Sequence, residues 1–131
     1  MKMDMKLELV AVPVTDVDRA KAFYVDQVGF NADHDFQVTD DLRFVQLTPP
    51  GSACSIVMGV GITEMPPGSQ KGLQVVVDDV EAIQRQLREH GVEASDIDRQ
   101  PWGWFTFFSD PDGNTWACQQ MVPQGSAEEG S

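Results

Sequence analysis

The residue types that do most protein chemistry are scarce in this chain and badly spaced for it. Cys54 and Cys118 form no CxxC pair, and neither has a histidine near it in sequence. They therefore read as free thiols, not as nucleophiles or zinc thiolates. His90 stands immediately before Gly91 at the end of a helical stretch, where an imidazolium favours the helix dipole. His34, between Asp33 and Asp35, belongs to a strand-like run and faces either solvent or the mouth of a pocket. Gly59-Val60-Gly61 lacks the Lys-Ser/Thr and the following helix of a phosphate loop. Glu64 is a lone carboxylate placed to serve as a pocket base. The aromatic residues are more suggestive. Trp102, Trp104, Phe105, Phe107 and Phe108 crowd one run, and Trp116 follows the next turn. Strand alternation separates Trp102, Trp104 and Phe108 from Phe105 and Phe107. One set must meet the core, and the other is free to wall a site for a flat or apolar ligand. Phe36 and Phe44 are the aromatic candidates earlier in the chain.

The elements that must position these residues come in two similar series. Residues 7–14 read as a strand, and Thr15 with Asp18 as a capping box. Val17, Ala20, Tyr24 and Val28 recur at helical spacing, and Gly29 supplies the stop. Strand-like runs follow near 30–37, 42–48 and 53–58. The second series repeats the order. A strand over 72–77 leads to Asp78 with Glu81 as the capping pair. Val80, Ile83 and Leu87 form one helix face, and Gly91 is the stop. Strands are then predicted near 92–97, 103–109 and 115–121, the last two joined by the turn sequence Asp110-Pro111-Asp112-Gly113. Gly29 and Gly91 are separated by the same distance as Gly51 and Gly113, and Thr15 and Asp78 by one residue more. A register kept through both a helix stop and a later turn indicates a duplication.

These boundaries predict a single domain over residues 1–122: module one at 6–58, a Gly/Pro-rich linker at 59–71 and module two at 72–122. The polar tail 123–131 is expected to be disordered. The chain of 131 residues carries 21 acidic and 9 basic residues, a formal net charge of −12. That surface repels phosphate backbones and anionic lipid, which argues against nucleic-acid and membrane partners. With no apolar run long enough for a span or signal peptide, and with free thiols, the expected location is cytoplasmic.

The run Val14-Thr15-Asp16 through Phe23-Tyr24 to Gly29-Phe30, then Val77-Asp78-Asp79-Val80 and Asp110-Pro111-Asp112-Gly113-Asn114, resembles the vicinal oxygen chelate superfamily. This group includes glyoxalase I, bleomycin-resistance proteins and extradiol dioxygenases. The resemblance spans residues 6–122. It implies an α+β fold of two tandem βαβββ modules whose strands form a curved mixed-sheet cup around a small-molecule ligand, commonly in a homodimer. Metal-dependent members place His, Glu or Gln on the first and last strands of each module. Here the corresponding positions are Leu9, Gly72, Ala117 and a residue between Ser55 and Val57. None of these side chains holds a divalent ion, so no metal and no cofactor are expected. Gln74 shares a strand face with Gly72, and Gln119 with Ala117, so both amides are expected to point into the cup.

The expected ligand-binding set is Gln74, Gln119, Trp102, Trp104, Phe36, Phe44 and His34, with no catalytic residue assigned. The function expected is metal-independent binding of a small apolar or aromatic molecule. Two enzymatic readings stay open. One is a metal-dependent glyoxalase- or dioxygenase-like lyase or oxidoreductase with displaced ligands. The other is a metal-free lyase or isomerase using a carboxylate such as Glu64.

Overall fold

The structure, a computed structural model, describes residues 2–122. The tail expected to be disordered lies outside the described residues. The first half contains β1 (Leu9–Ala11), α1 (Val17–Ala22) with a π-helical continuation (Phe23–Val28), β2 (Asn31–Thr39), β3 (Leu42–Thr48) and β4 (Ser55–Val60). The second contains β5 (Leu73–Val77), α2 (Val80–Glu89), β6 (Asp98–Gln100), β7 (Gly103–Ser109) and β8 (Thr115–Gln120). Each half is a βαβββ module with its own four-stranded sheet, ordered β1-β4-β3-β2 and β5-β8-β7-β6. In each sheet the first strand of the module runs parallel to the last, and the other neighbours are antiparallel. Among the described residues no helix is long and apolar enough to cross a membrane.

Local chemistry explains the boundaries. Both helix caps fall one residue later than expected. Asp16 Oδ1 accepts from Arg19 N at 3.0 Å and Asp79 Oδ1 from Ala82 N at 3.1 Å. Thr15 is turned instead towards the second module, where its hydroxyl donates to Asp112 Oδ1 at 2.7 Å. Gly29 ends the first helix at φ 97°, a conformation cheap only for glycine. The strand expected near 92–97 is absent, and pairing begins only at Asp98. Val92 and Ala94 turn into the core instead. The Arg88 guanidinium holds the Ala94 carbonyl, and Ser95 exchanges bonds with Phe107 through its own N–H and hydroxyl.

One core serves both modules. Val12, Tyr24, Val45 and Leu47 from the first join Leu87, Phe108, Trp116 and Cys118 from the second. The Asp110–Asn114 turn fastens the halves together. Asp110 Oδ2 accepts from Tyr24 Oη and from Asn114 Nδ2, both at 2.8 Å, and Asn114 Nδ2 also donates to the Pro13 carbonyl at 2.8 Å. The sequence marks this segment as a turn, and tertiary contacts make it the clasp between modules.

Candidate ligand-binding face

Which residues line each sheet's outer face follows from the core. On β3 and β4, Val45, Leu47, Ile56 and Met58 point inward. Alternation therefore sends Phe44, Gln46, Val57 and Gly59 to the opposite side. On β7 and β8 the inward residues are Phe108, Trp116 and Cys118, which leaves Phe105, Phe107, Ala117 and Gln119 outward. The ladders of the two sheets correspond. Phe44 faces Gly59 as Phe105 faces Gln119, and Gln46 faces Val57 as Phe107 faces Ala117. Val57 is thus the counterpart of Ala117, because the loop before β4 is longer than the turn before β8.

On the second sheet, three strands place Gln74, Ala117 and Phe107 side by side, with Val76, Gln119 and Phe105 in the next row. The Phe105 and Phe107 rings are parallel within 3°, with centroids 5.9 Å apart. Phe107 is 43% exposed, whereas Phe105 is buried. Gln74 Nε2 donates to Gln119 Oε1, and Gln119 Nε2 donates to the Trp102 carbonyl at 3.1 Å. A groove of about 1140 Å³ opens along this edge of the module, bordered by Gln74, Ala117, Phe107, Ser95 and Glu93 among others. Its wall mixes apolar side chains, among them Phe23, Phe107 and Trp116, with polar ones such as Gln27, Glu93, Ser95 and Thr115, and Phe105 and Gln119 do not border it.

The sequence-derived candidates separate into three sets. Gln74 and Gln119 share the outer face of sheet two and touch. His34, Phe36 and Phe44 share the outer face of sheet one: His34 and Phe36 stack with centroids 5.5 Å apart, and Phe36 lies directly opposite Phe44. None of these three borders the groove on sheet two. The tryptophans require a correction. Trp104 is paired with Gln120, not Gln119, and Gln120 Oε1 accepts from Val80 N at the start of α2. Trp104 therefore lies on the helix side, where the Arg99 guanidinium sits 4.8 Å from its ring centroid and also bonds Glu81 of α2. Trp102 is in the β6–β7 turn, 65% exposed, and meets Gln119 through its backbone carbonyl. The phenylalanines Phe105 and Phe107 hold the place expected of the tryptophans. Counting outward from the Asp110–Asn114 turn, Ser109 opposite Thr115, would have put Phe107 beside Ala117.

The positions implied for a metal do not fit one. Leu9 pairs with Ser55 and Ala11 with Val57, while Gly72 precedes β5 and Ala117 is flanked by Gln74 and Phe107. Among the described residues no three His, Cys, Asp or Glu side chains converge as a metal site would need. Ser55 does have polar company, since its hydroxyl lies 2.6 Å from Thr48 Oγ1 and accepts from Gln46 Nε2 at 3.3 Å, and Thr48 in turn donates to the Asp33 carboxylate, but one carboxylate among neutral groups is too few ligands for a metal ion. Cys118 is buried, and burial pushes its thiol up to about 12, which makes it inert as a nucleophile. Glu64 is exposed in the linker and does not border the groove.

Residues 6–118 match the Glyoxalase/Bleomycin resistance protein/Dioxygenase superfamily. Among solved structures, the chain is similar to TnmS3, an antibiotic binding protein from Streptomyces sp. CB03234. The two are 38% identical with a TM-score of 0.84, covering 93% of this chain and 100% of that one. A glyoxalase/bleomycin resistance protein from the same Streptomyces is 41% identical with a TM-score of 0.78, over 88% of this chain and 100% of that one. The uncharacterized protein YetH of Bacillus subtilis (strain 168) is 26% identical over 122 residues, 90% of this chain and 100% of its own. With the fold, the paired modules and the match over nearly all the described residues in agreement, the chain belongs to the Glyoxalase/Bleomycin resistance protein/Dioxygenase superfamily.

Proposed function

We propose that this protein binds a small, flat or apolar molecule of the antibiotic type without a metal ion, and sequesters it instead of transforming it. The observation that carries this reading is the outer face of the second sheet. There, the Phe105–Phe107 pair and the joined amides of Gln74 and Gln119 surround the small Ala117. Metal-dependent members of the family hold an ion at the Ala117 position, and here that position is a buried methyl group without a donor, between Gln74 and Phe107. The similarity to an antibiotic binding protein at 38% identity supports the same reading. The net charge of −12 favours neutral or cationic ligands over anions.

The outer faces carry exposed apolar side chains, with Phe36 on β2, Val76 on β5 and Met121 beyond β8. A second copy of the chain covering them would shield apolar surface from water and bring His34, Phe36 and Phe44 toward a ligand held on sheet two. The expected assembly is therefore a homodimer, and the expected compartment, with its free thiols, the cytoplasm.

The test is titration of the protein with a panel of aromatic antibiotics, followed by intrinsic fluorescence, with sedimentation at micromolar concentration and elemental analysis after dialysis. Saturable binding that weakens in Phe107→Ala, by a dimer holding no stoichiometric transition metal, is the expected result. One tightly held transition ion per chain, or binding indifferent to Phe107, would overturn the reading.

A further inference from the structure

The two glutamines of the binding face have a fixed polarity, and it begins at a backbone carbonyl. The Trp102 carbonyl is an acceptor only, so the group of Gln119 that meets it at 3.1 Å must be the amide nitrogen. With Nε2 committed there, Gln119 Oε1 faces Gln74. That oxygen in turn requires a donor, so Gln74 turns its own Nε2 inward. Gln119 is 8% exposed and Gln74 lies open on β5. What remains at the surface of the pair is Gln74 Oε1, which meets no donor among the described residues.

Gly103 makes this arrangement possible. A Cβ built on it would lie 2.4 Å from Gln119 Nε2, 3.0 Å from Cγ and 3.1 Å from Cδ, so the Gln119 side chain occupies the space a larger residue would fill. Gly103 is not among the glycines with positive φ, so here glycine is used for space and not for backbone freedom.

We propose that this relay, Trp102 carbonyl to Gln119 to Gln74, presents a lone acceptor beside the exposed Phe107 ring, and that the protein selects flat aromatic ligands carrying a hydroxyl or N–H donor. The inference rests on the binding face proposed above and specifies its ligand class. Gln74 and Phe107 flank Ala117 from opposite sides. A ring lying against the exposed Phe107, across the buried Ala117, therefore directs an edge substituent at Gln74 Oε1. An ether or ketone at that edge meets an oxygen with no proton to share, whereas a phenol or aryl amine donates to it. Gly103 is then a specificity-determining position that touches no ligand itself.

The experiment uses two probes of nearly equal shape, 2-naphthol and 2-methoxynaphthalene, titrated into the full chain by equilibrium dialysis. The unmodified protein is expected to hold the naphthol roughly fivefold more tightly, the scale of one neutral hydrogen bond. Gln74→Met should abolish the preference while retaining both probes, because it keeps side-chain bulk and removes the amide. Gly103→Ala should reduce the preference by displacing Gln119, and Gly103→Ala combined with Gln119→Ala should add no further loss. Equal affinity for the two probes in the unmodified protein, with both weakened by Phe107→Ala, would overturn the acceptor assignment and leave the binding face standing. Failure to bind either probe at millimolar concentration, or binding unaffected by Phe107→Ala, would overturn the face and this inference together.

Discussion

Tyr24 of the first module donates its hydroxyl proton to Asp110 of the second at 2.8 Å, and the same oxygen accepts from Trp116 Nε1 at 2.9 Å. All three side chains are buried. Burial, and then the neighbouring Asp110 charge, push the phenol well above its ordinary range, so the hydroxyl keeps its proton. Tyr24→Phe retains the ring packing against Phe30 and Trp116 but leaves the indole N–H without its acceptor and Asp110 short of one donor. It is expected to destabilise the fold by about 1–3 kcal/mol, the usual penalty for unsatisfied buried polar groups, measured by urea unfolding at neutral pH.

Alkaline pH should loosen the core through Cys118. Burial raises its thiol from the ordinary 9.0 to about 12. A raised value in the folded state means that the unfolded chain gains more from ionisation. The associated stability is therefore complete below about 9 and is lost as pH rises towards about 12. Tyr24 acts in the same direction at still higher pH. The urea midpoint under reducing conditions should fall between pH 8 and pH 10.5, and Cys118→Val should fall less. Identical pH profiles for the two would mean the thiol is not the source.

The carboxylate of Asp35 accepts from Arg43 Nε at 3.0 Å and Nη2 at 2.9 Å, and from Lys21 Nζ at 2.9 Å. The bidentate Arg43 contact first, and then Lys21, hold it well below the usual carboxylate range. A lowered value means the stabilisation is present above the ordinary carboxylate pKa of about 4 and is lost as pH falls below it. Asp35→Asn should lower the urea midpoint at pH 7, and the gap from the unmodified protein should narrow by pH 2.5. A gap that stays constant with pH would assign the effect to packing and not to charge.

Trp104 and Phe107 should respond in opposite ways to truncation. Trp104 is half-buried against Arg99 on the helix side, so Trp104→Ala should cost about 2 kcal/mol of stability. That is less than the ~3–5 kcal/mol of a fully buried aromatic. Ligand affinity per folded molecule should be unchanged. Phe107→Ala should change stability little and weaken binding of an aromatic ligand by about 1–3 kcal/mol. Thermal unfolding and ligand titration of both variants separate the two roles, and a loss of affinity in Trp104→Ala would restore the tryptophan to the site.

The sequence by itself determined the module architecture, because the signals concerned are local. Gly29 and Gly91 stop helices through their own backbone freedom. Alternating apolar residues mark strands whatever they pair with, and Asp110-Pro111-Asp112-Gly113 turns the chain without outside help. The absence of donors at Leu9, Gly72 and Ala117 was legible for the same reason, since a side chain's donor chemistry does not depend on its neighbours. What only the tertiary structure decided was which face of each strand looks outward. Alternation divides Trp104 from Phe105 but cannot say which set meets the helix. That depended on Phe108 pairing with Trp116 in the core and on Gln120 reaching back to α2. The polarity of the Gln74–Gln119 pair is likewise tertiary. It is set by the carbonyl of Trp102, and the space that lets Gln119 reach it is left by Gly103, both far from Gln74 along the chain.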